Sequence, residues 1–266
     1  MKKIAVIFAA LFFSATTSAT AIGQIPPTSM PGLAAKVDTT PGYLLVMGRT
    51  LDRAKIIQYS TSLPSIYAAS GGRYIGIGRP GAGVSCVYGL CEGRSAVVAT
   101  WADDKNIEAF WWGDAYRQAV RLRDKAGVFT VVGLKGLATG VPYQNGALLI
   151  VLINSKPELT ATVPWLAAAS SAGAALLVSP TTLTVSPLEG DALFQRTALL
   201  SFTSKAERDS FAAGEATQAF IKNAAASSQT AQTTANAILA IVAIDAPPTS
   251  VPAAVLPLPV ATPVAK

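Results

Sequence analysis

Three observations predict an α+β fold made of two tandem βαββαβ units packed sheet against sheet within one chain. The block at 96–116, AVVATWADDKNIEAFWWGDAY, returns about a hundred residues later at 198–217 as ALLSFTSKAERDSFAAGEAT, the mark of a duplicated module. Trp101 falls on Phe202, Phe110 on Phe211, Gly113 on Gly214 and Asp114 on Glu215 without a gap. The strand-like runs LLVM, AVVATW, TVVGL, ALLIVLI and ILAIVAI are almost continuously apolar instead of alternating, which indicates burial on both faces. Two helices cover only one face of a four-stranded unit, so the economical cover for the other face is the second copy.

The elements follow in order. GYLLVMG at 42–48 reads as a strand, and 51–70 as a helix whose apolar positions Ile56, Tyr59, Leu63 and Ile66 recur at spacings of three and four. Gly71-Gly72 ends it, because glycine takes the left-handed conformation that a helix terminus requires. RYIGIG at 73–78 is the second strand. A hairpin with Tyr88-Gly89 at its turn leads to the third strand at 95–101. Asp103 and Asp104 suit the start of a helix, where carboxylates accept from free N–H groups and favour the dipole. That helix is expected over 105–112, bent at Gly113 and continued through 116–126, before a last strand at 128–134. This order is the ferredoxin-like plan. The second copy repeats it with a strand at 147–154, a helix within 157–171, a hairpin pair across 174–185, a strand at 197–202, a helix from 205 to 228 or slightly beyond, and a strand at 237–244. The units are thus bounded at 42–136 and 140–245.

Residues 1–21 read as a secretory signal: Lys2 and Lys3, an apolar run from Ile4 to Phe13, and the small residues Ala19-Thr20-Ala21. The apolar run is too short for a transmembrane anchor, which needs about 20 residues. No cysteine stands at the cleavage site to accept a lipid. The expected compartment is therefore periplasmic or secreted, with no membrane anchor after cleavage. An arm follows at 22–41. From 246 to 266 the chain becomes a Pro/Val/Ala run that cannot build a packed core and favours extended polyproline-like backbone.

Composition narrows the chemistry. The chain has 266 residues, a formal net charge of +6 and no histidine. That absence excludes a Ser-His-Asp triad, a Cys-His pair, a His-ligated haem and imidazole zinc sites. Two cysteines cannot close a thiolate zinc site, so neither a metal nor a cofactor is expected. Cys86 and Cys91 face each other across the hairpin turn and are expected to form a disulfide. Their spacing is not that of a redox pair. Residues 42–136 carry a net charge of +5 and residues 140–245 one of −2, so an anionic ligand would prefer the first unit. No dense basic stripe interleaved with aromatics is present, so no nucleic-acid partner is expected. GIGRPGAG at 76–83 joins two strands instead of opening a helix and lacks a Lys-Ser/Thr ending, so it reads as a hairpin arm and not as a phosphate loop. Arg117, Arg121, Arg123 and Lys125 read as a basic helix end, which needs no ligand.

The first strand, the Gly71-Gly72-Arg73-Tyr74 helix ending, the Glu92-Gly93 pair and the stretch Phe110-Trp111-Trp112-Gly113-Asp114-Ala115-Tyr116-Arg117 resemble a family of small bacterial proteins of unknown function in the dimeric α/β-barrel superfamily. The resemblance covers about 42–134. The second copy keeps Glu189-Gly190 and Gly214-Glu215 but has Ala172-Gly173-Ala174 and Thr217 where the motif and Tyr116 would fall, so it looks like a degenerate partner. The superfamily implies a two-sheet barrel with a pocket between sheet and helices. Its members include cofactor-independent oxygenases, isomerase-like proteins and pure binding proteins, and fold resemblance does not choose among them.

The expected pocket lining is Arg73, Trp101, Trp112, Asp114 and Tyr116, with Glu92 nearby. Arg73 suits a carboxylate or phosphate, the tryptophans a flat ring, and Tyr116 a hydrogen bond. The primary expectation is non-catalytic binding of a small aromatic or anionic molecule, or a structural role. The alternative is a metal-free oxygenase- or isomerase-like enzyme using Asp114 or Tyr116 for proton transfer.

Overall fold

The computed structural model describes residues 39–138, 143, 146–154, 159–181, 185–230 and 238–247. The expected signal at 1–21, most of the arm at 22–41 and the chain from 248 onward lie outside these residues. In the first half β1 (Gly42–Thr50) leads to α1 (Arg53–Ala69), β2 (Arg73–Pro80), β3 (Gly83–Gly89), β4 (Ser95–Trp101), α2 (Lys105–Trp112), α3 (Asp114–Val120), a 3-10 turn (Arg121–Arg123) and β5 (Gly127–Lys135). The second half runs β6 (Ala147–Ile153), α4 (Leu159–Ser171), β7 (Ala175–Val178), β8 (Val185–Glu189), β9 (Arg196–Phe202), α5 (Lys205–Ala213), α6 (Glu215–Thr230) and β10 (Ile238–Ile244).

Ten strands form one curled sheet in the order β7-β9-β6-β10-β3-β2-β4-β1-β5-β8. Within it each half keeps the ferredoxin-like arrangement, β5-β1-β4-β2 and β10-β6-β9-β7. The repeat is exact in register: Gly42 pairs with Trp101 across β1 and β4, and Ala147 with Phe202 across β6 and β9.

The two hairpins expected at the cysteines and across 174–185 are not hairpins. β4 already has β1 on one side and β2 on the other, so β3 cannot pair with it as a hairpin arm. It touches β2 only at Arg79↔Gly83 and Pro80↔Val84 and instead runs antiparallel to β10, with Val84 opposite Ile244. β8 does the reverse and lies along β5, with Val185 opposite Leu134. Each half thus lends its extra strand to the last strand of the other, which satisfies the edge N–H and C=O groups of both.

The concave side of the sheet holds a core drawn from both copies, including Tyr43, Leu45, Val98 and Val132 with Leu148, Ile150, Leu199 and Val242. The tandem units are therefore a pseudo-dimer of the α/β-barrel kind. All seven residues of β6 are buried, as its unbroken apolar run demands. On the outer side, two separate aromatic cores lie beneath the helices of the first and second halves.

Local signals set the helix ends. The Asp52 side chain accepts from Lys55 N at 3.2 Å, and Gly71, at φ +74°, turns the chain so that Gly72 N donates to Tyr67 O at 2.8 Å. Gly113 and Gly214, both extended, separate α2 from α3 and α5 from α6. The helix expected to reach 126 stops at Val120, because the chain must turn to bring Ala126 O to the N–H groups of Leu51 and Asp52 at 2.8 and 2.9 Å. The cysteines do form a disulfide, with Cα atoms 5.3 Å apart. Among the described residues no helix is long and apolar enough to cross a membrane.

Candidate functional site

A cavity of about 280 Å³ opens between α1 and the outer side of the first-half sheet. Its wall on the helix is Ile56, Tyr59, Ser60, Leu63, Pro64 and Tyr67, and its floor includes Val46, Tyr74, Ile77, Val97 and Phe129. Pro64 has no N–H to offer the preceding turn of α1. The Tyr59 and Tyr116 hydroxyls lie 2.9 Å apart, and the Tyr67 ring packs between Tyr74, at 4.6 Å, and Phe110, at 4.5 Å. Burial raises the pKa of Tyr59, Tyr67, Tyr74 and Tyr116 above the usual tyrosine value. These hydroxyls therefore stay protonated and serve as hydrogen-bonding groups. Among the lining residues there is no carboxylate, thiol or imidazole. Such a wall can enclose a flat apolar molecule and offer a hydroxyl, but it holds no group that moves a proton near neutral pH.

The structure brings one of the expected residues to this cavity. Arg73 borders it, is exposed, and carries its guanidinium 5.4 Å over the Tyr143 ring. Trp101 is 2 % exposed and sits deeper, packed on Tyr67 and Phe110, with its N–H donated to Ser70 Oγ at 3.0 Å. Tyr116 is also buried, behind Tyr59 and against Phe110 and Trp111. Trp112 lies on the outer face of α2, 59 % exposed, with the Arg117 guanidinium 5.5 Å from its ring. Asp114 is exposed at the start of α3, and Glu92 is exposed beyond the disulfide. The reason is helical geometry: one turn carries Phe110 and Trp111 inward, so the next residue, Trp112, points to solvent.

Residues that sequence reasoning left aside supply most of the wall. Tyr59 falls in the apolar stripe read for the helix, Tyr67 lies on the same helix outside the named positions, and Tyr74 reads as part of the second strand. A signal was available, since all seven tyrosines precede residue 146. Arg123, expected as part of a solvated basic helix end, is 7 % exposed and forms a two-pronged pair with Glu189 of β8, at 2.7 and 2.5 Å. It lies 5.2 Å over the Tyr59 ring and 4.6 Å over Phe129. Burial alone would lower its pKa, but the bonds to Glu189 hold it above the usual arginine value. The strand lent by the second half thus anchors the arginine that backs the cavity wall.

In the second half a larger ring stands at the matching helix position. Counting back from the helix-ending glycines, Gly71 and Gly173, Leu63 corresponds to Trp165. The Trp165 ring stacks on Phe220 at 4.9 Å, and its N–H donates to Thr217 Oγ1 at 3.1 Å, where the first half has Tyr116. A smaller depression near Asp104, Glu108 and Lys135, about 270 Å³, is open and polar. Among the described residues no group of three or more His, Cys, Asp or Glu is placed to hold a metal ion.

No protein-family model matches the chain, and no curated protein matches it. Solved structures show distant likenesses. An anthrone oxidase-like protein superposes with a TM-score of 0.41 at 10 % identity, over 77 % of this chain and 91 % of the other. A monooxygenase candidate from Lactobacillus acidophilus NCFM gives 0.38 at 11 %, over 77 % and 93 %, and a chlorite dismutase candidate 0.40 at 8 %, over 78 % and 94 %. The architecture rests on the strand pairing given above and not on these likenesses.

Proposed function

We propose that the first half of this protein binds a small, flat, mainly apolar molecule in the cavity under α1, without chemical turnover, and that the second half completes the barrel and backs the site. An anionic group on the ligand would meet Arg73 at the rim. We further infer that the protein works after export, as the leader-like residues 1–21 and the Cys86–Cys91 disulfide both suit an oxidising compartment. The observation that carries the binding reading is the lining itself: a cavity of about 280 Å³ walled by aromatic rings, with Arg73 at its edge and no carboxylate, thiol or imidazole among its described residues.

The test uses the fluorescent aromatic anion 1-anilinonaphthalene-8-sulfonate as a probe. One saturable site is expected, weakened by Arg73→Ala. Leu63→Trp, which copies the second half's filling, should abolish it, and Ser60→Phe fills the same space from the next turn should Leu63→Trp fail to fold. Probe binding that both filling variants leave intact would overturn the assignment.

A further inference from the structure

The chain leaves the sheet beside the cavity. After β10, Asp245 N donates to Gly83 O at 2.8 Å, and Asp245 O accepts from Ile77 N at 3.3 Å, so the backbone is tied to the start of β3 and to β2. Two residues later Pro247, the last described residue, forms part of the cavity wall beside Ile77. The sequence then continues for 19 residues, PTSVPAAVLPLPVATPVAK. It contains Pro248, Pro252, Pro257, Pro259 and Pro263 among small apolar side chains, and its one charge is Lys266.

We propose that this proline-rich segment, 248–266, is an intramolecular ligand of the tyrosine-walled cavity and competes there with small molecules. Proline-rich backbone is recognised by aromatic-lined grooves, because its extended helix is preformed and its ring faces lie flat on aromatic rings. Tyr59, Tyr67, Tyr74 and Phe129 provide such a lining next to the point where the segment begins. At about 3.1 Å per residue, extended polyproline-like chain from Pro247 spans the cavity several times over. Covalent attachment sets a local concentration on the order of millimolar, so a segment that binds in trans with a Kd of about 100 µM occludes the site about tenfold. The segment is nearly uncharged, which suits the apolar floor of Val46, Ile77 and Val97 better than the exposed Arg73 at the rim. The inference shares its site with the small-molecule reading but stands on the exit path and the chemistry of the segment.

The experiment uses the full chain and a full-length variant carrying P248S, P252S, P257S, P259S and P263S, which keeps length and charge. Anilinonaphthalene sulfonate should bind the variant about tenfold more tightly than the native chain, and a synthetic peptide of residues 248–266 should displace it from the variant. Calorimetric titration of the peptide into the variant should give a one-to-one isotherm that Tyr74→Ala removes. If the dye binds neither protein, the small-molecule reading fails and the calorimetric titration alone decides this one. Equal dye affinities with no displacement by the peptide, or a silent titration, would overturn the proposal. Occlusion in the native chain that fades on dilution would also overturn it, because it would place the segment in the cavity of a second copy.

Discussion

The two halves solve the same packing problem under their helices in opposite ways. In the first, Tyr59, Tyr67, Tyr74 and Phe129 line a volume that they do not fill, backed by Trp101, Phe110 and Tyr116. In the second, a single large ring at the Leu63-equivalent position, Trp165, is stacked on Phe220 and tilted against Phe211 at 5.6 Å. Tyr67 corresponds to Ala169, which is fully buried, so the second half has moved its bulk from the end of the helix to its middle. Among the described residues, one copy, the hollow one, thus borders a cavity, and the other, the solid one, stacks rings at the matching place. The hollow copy holds the tyrosines, whose hydroxyls stay useful to a ligand, and the solid copy holds rings that serve packing.

Raising the pH should break this asymmetry most completely. Burial pushes the Tyr43 pKa up to about 12 and raises those of Tyr59, Tyr67, Tyr74 and Tyr116 as well. A folded-state value above the unfolded one means that the folded form holds its proton longer. The stability from Tyr43 is therefore complete below pH 10 and is lost as the pH rises from 10 through about 12, and that from the other four starts to fall at the same pH and continues beyond this window. Every one of these tyrosines lies in the first half. Tyrosinate absorbance should rise together with loss of near-ultraviolet dichroism, and Tyr43→Phe should move that transition to higher pH. Titration of all tyrosines near pH 10 with the fold intact would show that the rings are wetter than described.

Next in size is Trp165→Ala, which empties the solid copy. The side chain is 2 % exposed, and truncation of such a ring costs about 3–5 kcal/mol, measured by urea unfolding. Leu63→Ala in the hollow copy removes less volume from a site that already borders a cavity, so it should cost about 2 kcal/mol, the low end for a buried leucine. Equal losses at the two positions would mean that the halves are packed alike.

The duplication was legible because its markers are local: apolar runs, helix-ending glycines and the Gly113/Gly214 breaks each act within a few residues. The strand exchange was not. β3 and β8 look like hairpin arms, and which ladder each joins depends on which sheet edge is open once the halves meet. The cavity was hidden for a related reason. Tyr59 falls at a helical spacing that a filled core would also show, so the sequence marks a buried face without telling whether the space beyond is occupied. Arg123 reads as a solvated charge because its partner Glu189 is 66 residues away, on the strand whose pairing was itself out of sight. Arg73 reads as pocket lining with the other expected residues, and it borders the cavity because it follows the helix stop directly. Trp101, Trp112, Asp114 and Tyr116 were grouped by motif proximity, and the turn of the helix distributes them between core and solvent.

The same contrast can be sharpened at Gly72. A Cβ placed there would lie 2.5 Å from the Trp101 ring, whereas the second half has Ala174 and the smaller Phe202 at the matching positions. Gly72→Ala should cost about 1–3 kcal/mol by overpacking. In the Trp101→Phe background, which forgoes the bond to Ser70, the added methyl should cost less. A double-mutant cycle read by thermal unfolding measures that coupling. Additive effects would show that the glycine and the tryptophan were not selected for each other.

The smallest expected effect concerns a charge pair that the two halves carry in opposite polarity. Asp104 at the start of α2 meets Lys135 at the end of β5 at 3.4 Å, and at the matching positions Lys205 meets Asp245 at 3.9 Å. Both lysines are mostly exposed, 60 % and 58 %, so each pair should contribute only about 0.2–1 kcal/mol. Lys135→Asp alone should destabilise by a similar amount through like-charge contact, and Asp104→Lys added to it should restore the loss by copying the second half. The two sites nevertheless differ in what stands behind them. Asp245 also forms an ion pair with Arg208 at 2.8 Å, and Arg208 is fully buried where the first half has Ile107. Removing Asp245 leaves a desolvated guanidinium with Asp209 as its remaining ion-pair partner, so Asp245→Asn should cost more than Lys135→Gln, and added salt should erase the second effect but not the first. Equal losses with equal salt dependence would mean that Arg208 is hydrated, and that the solid half is less tightly closed than its aromatic packing indicates.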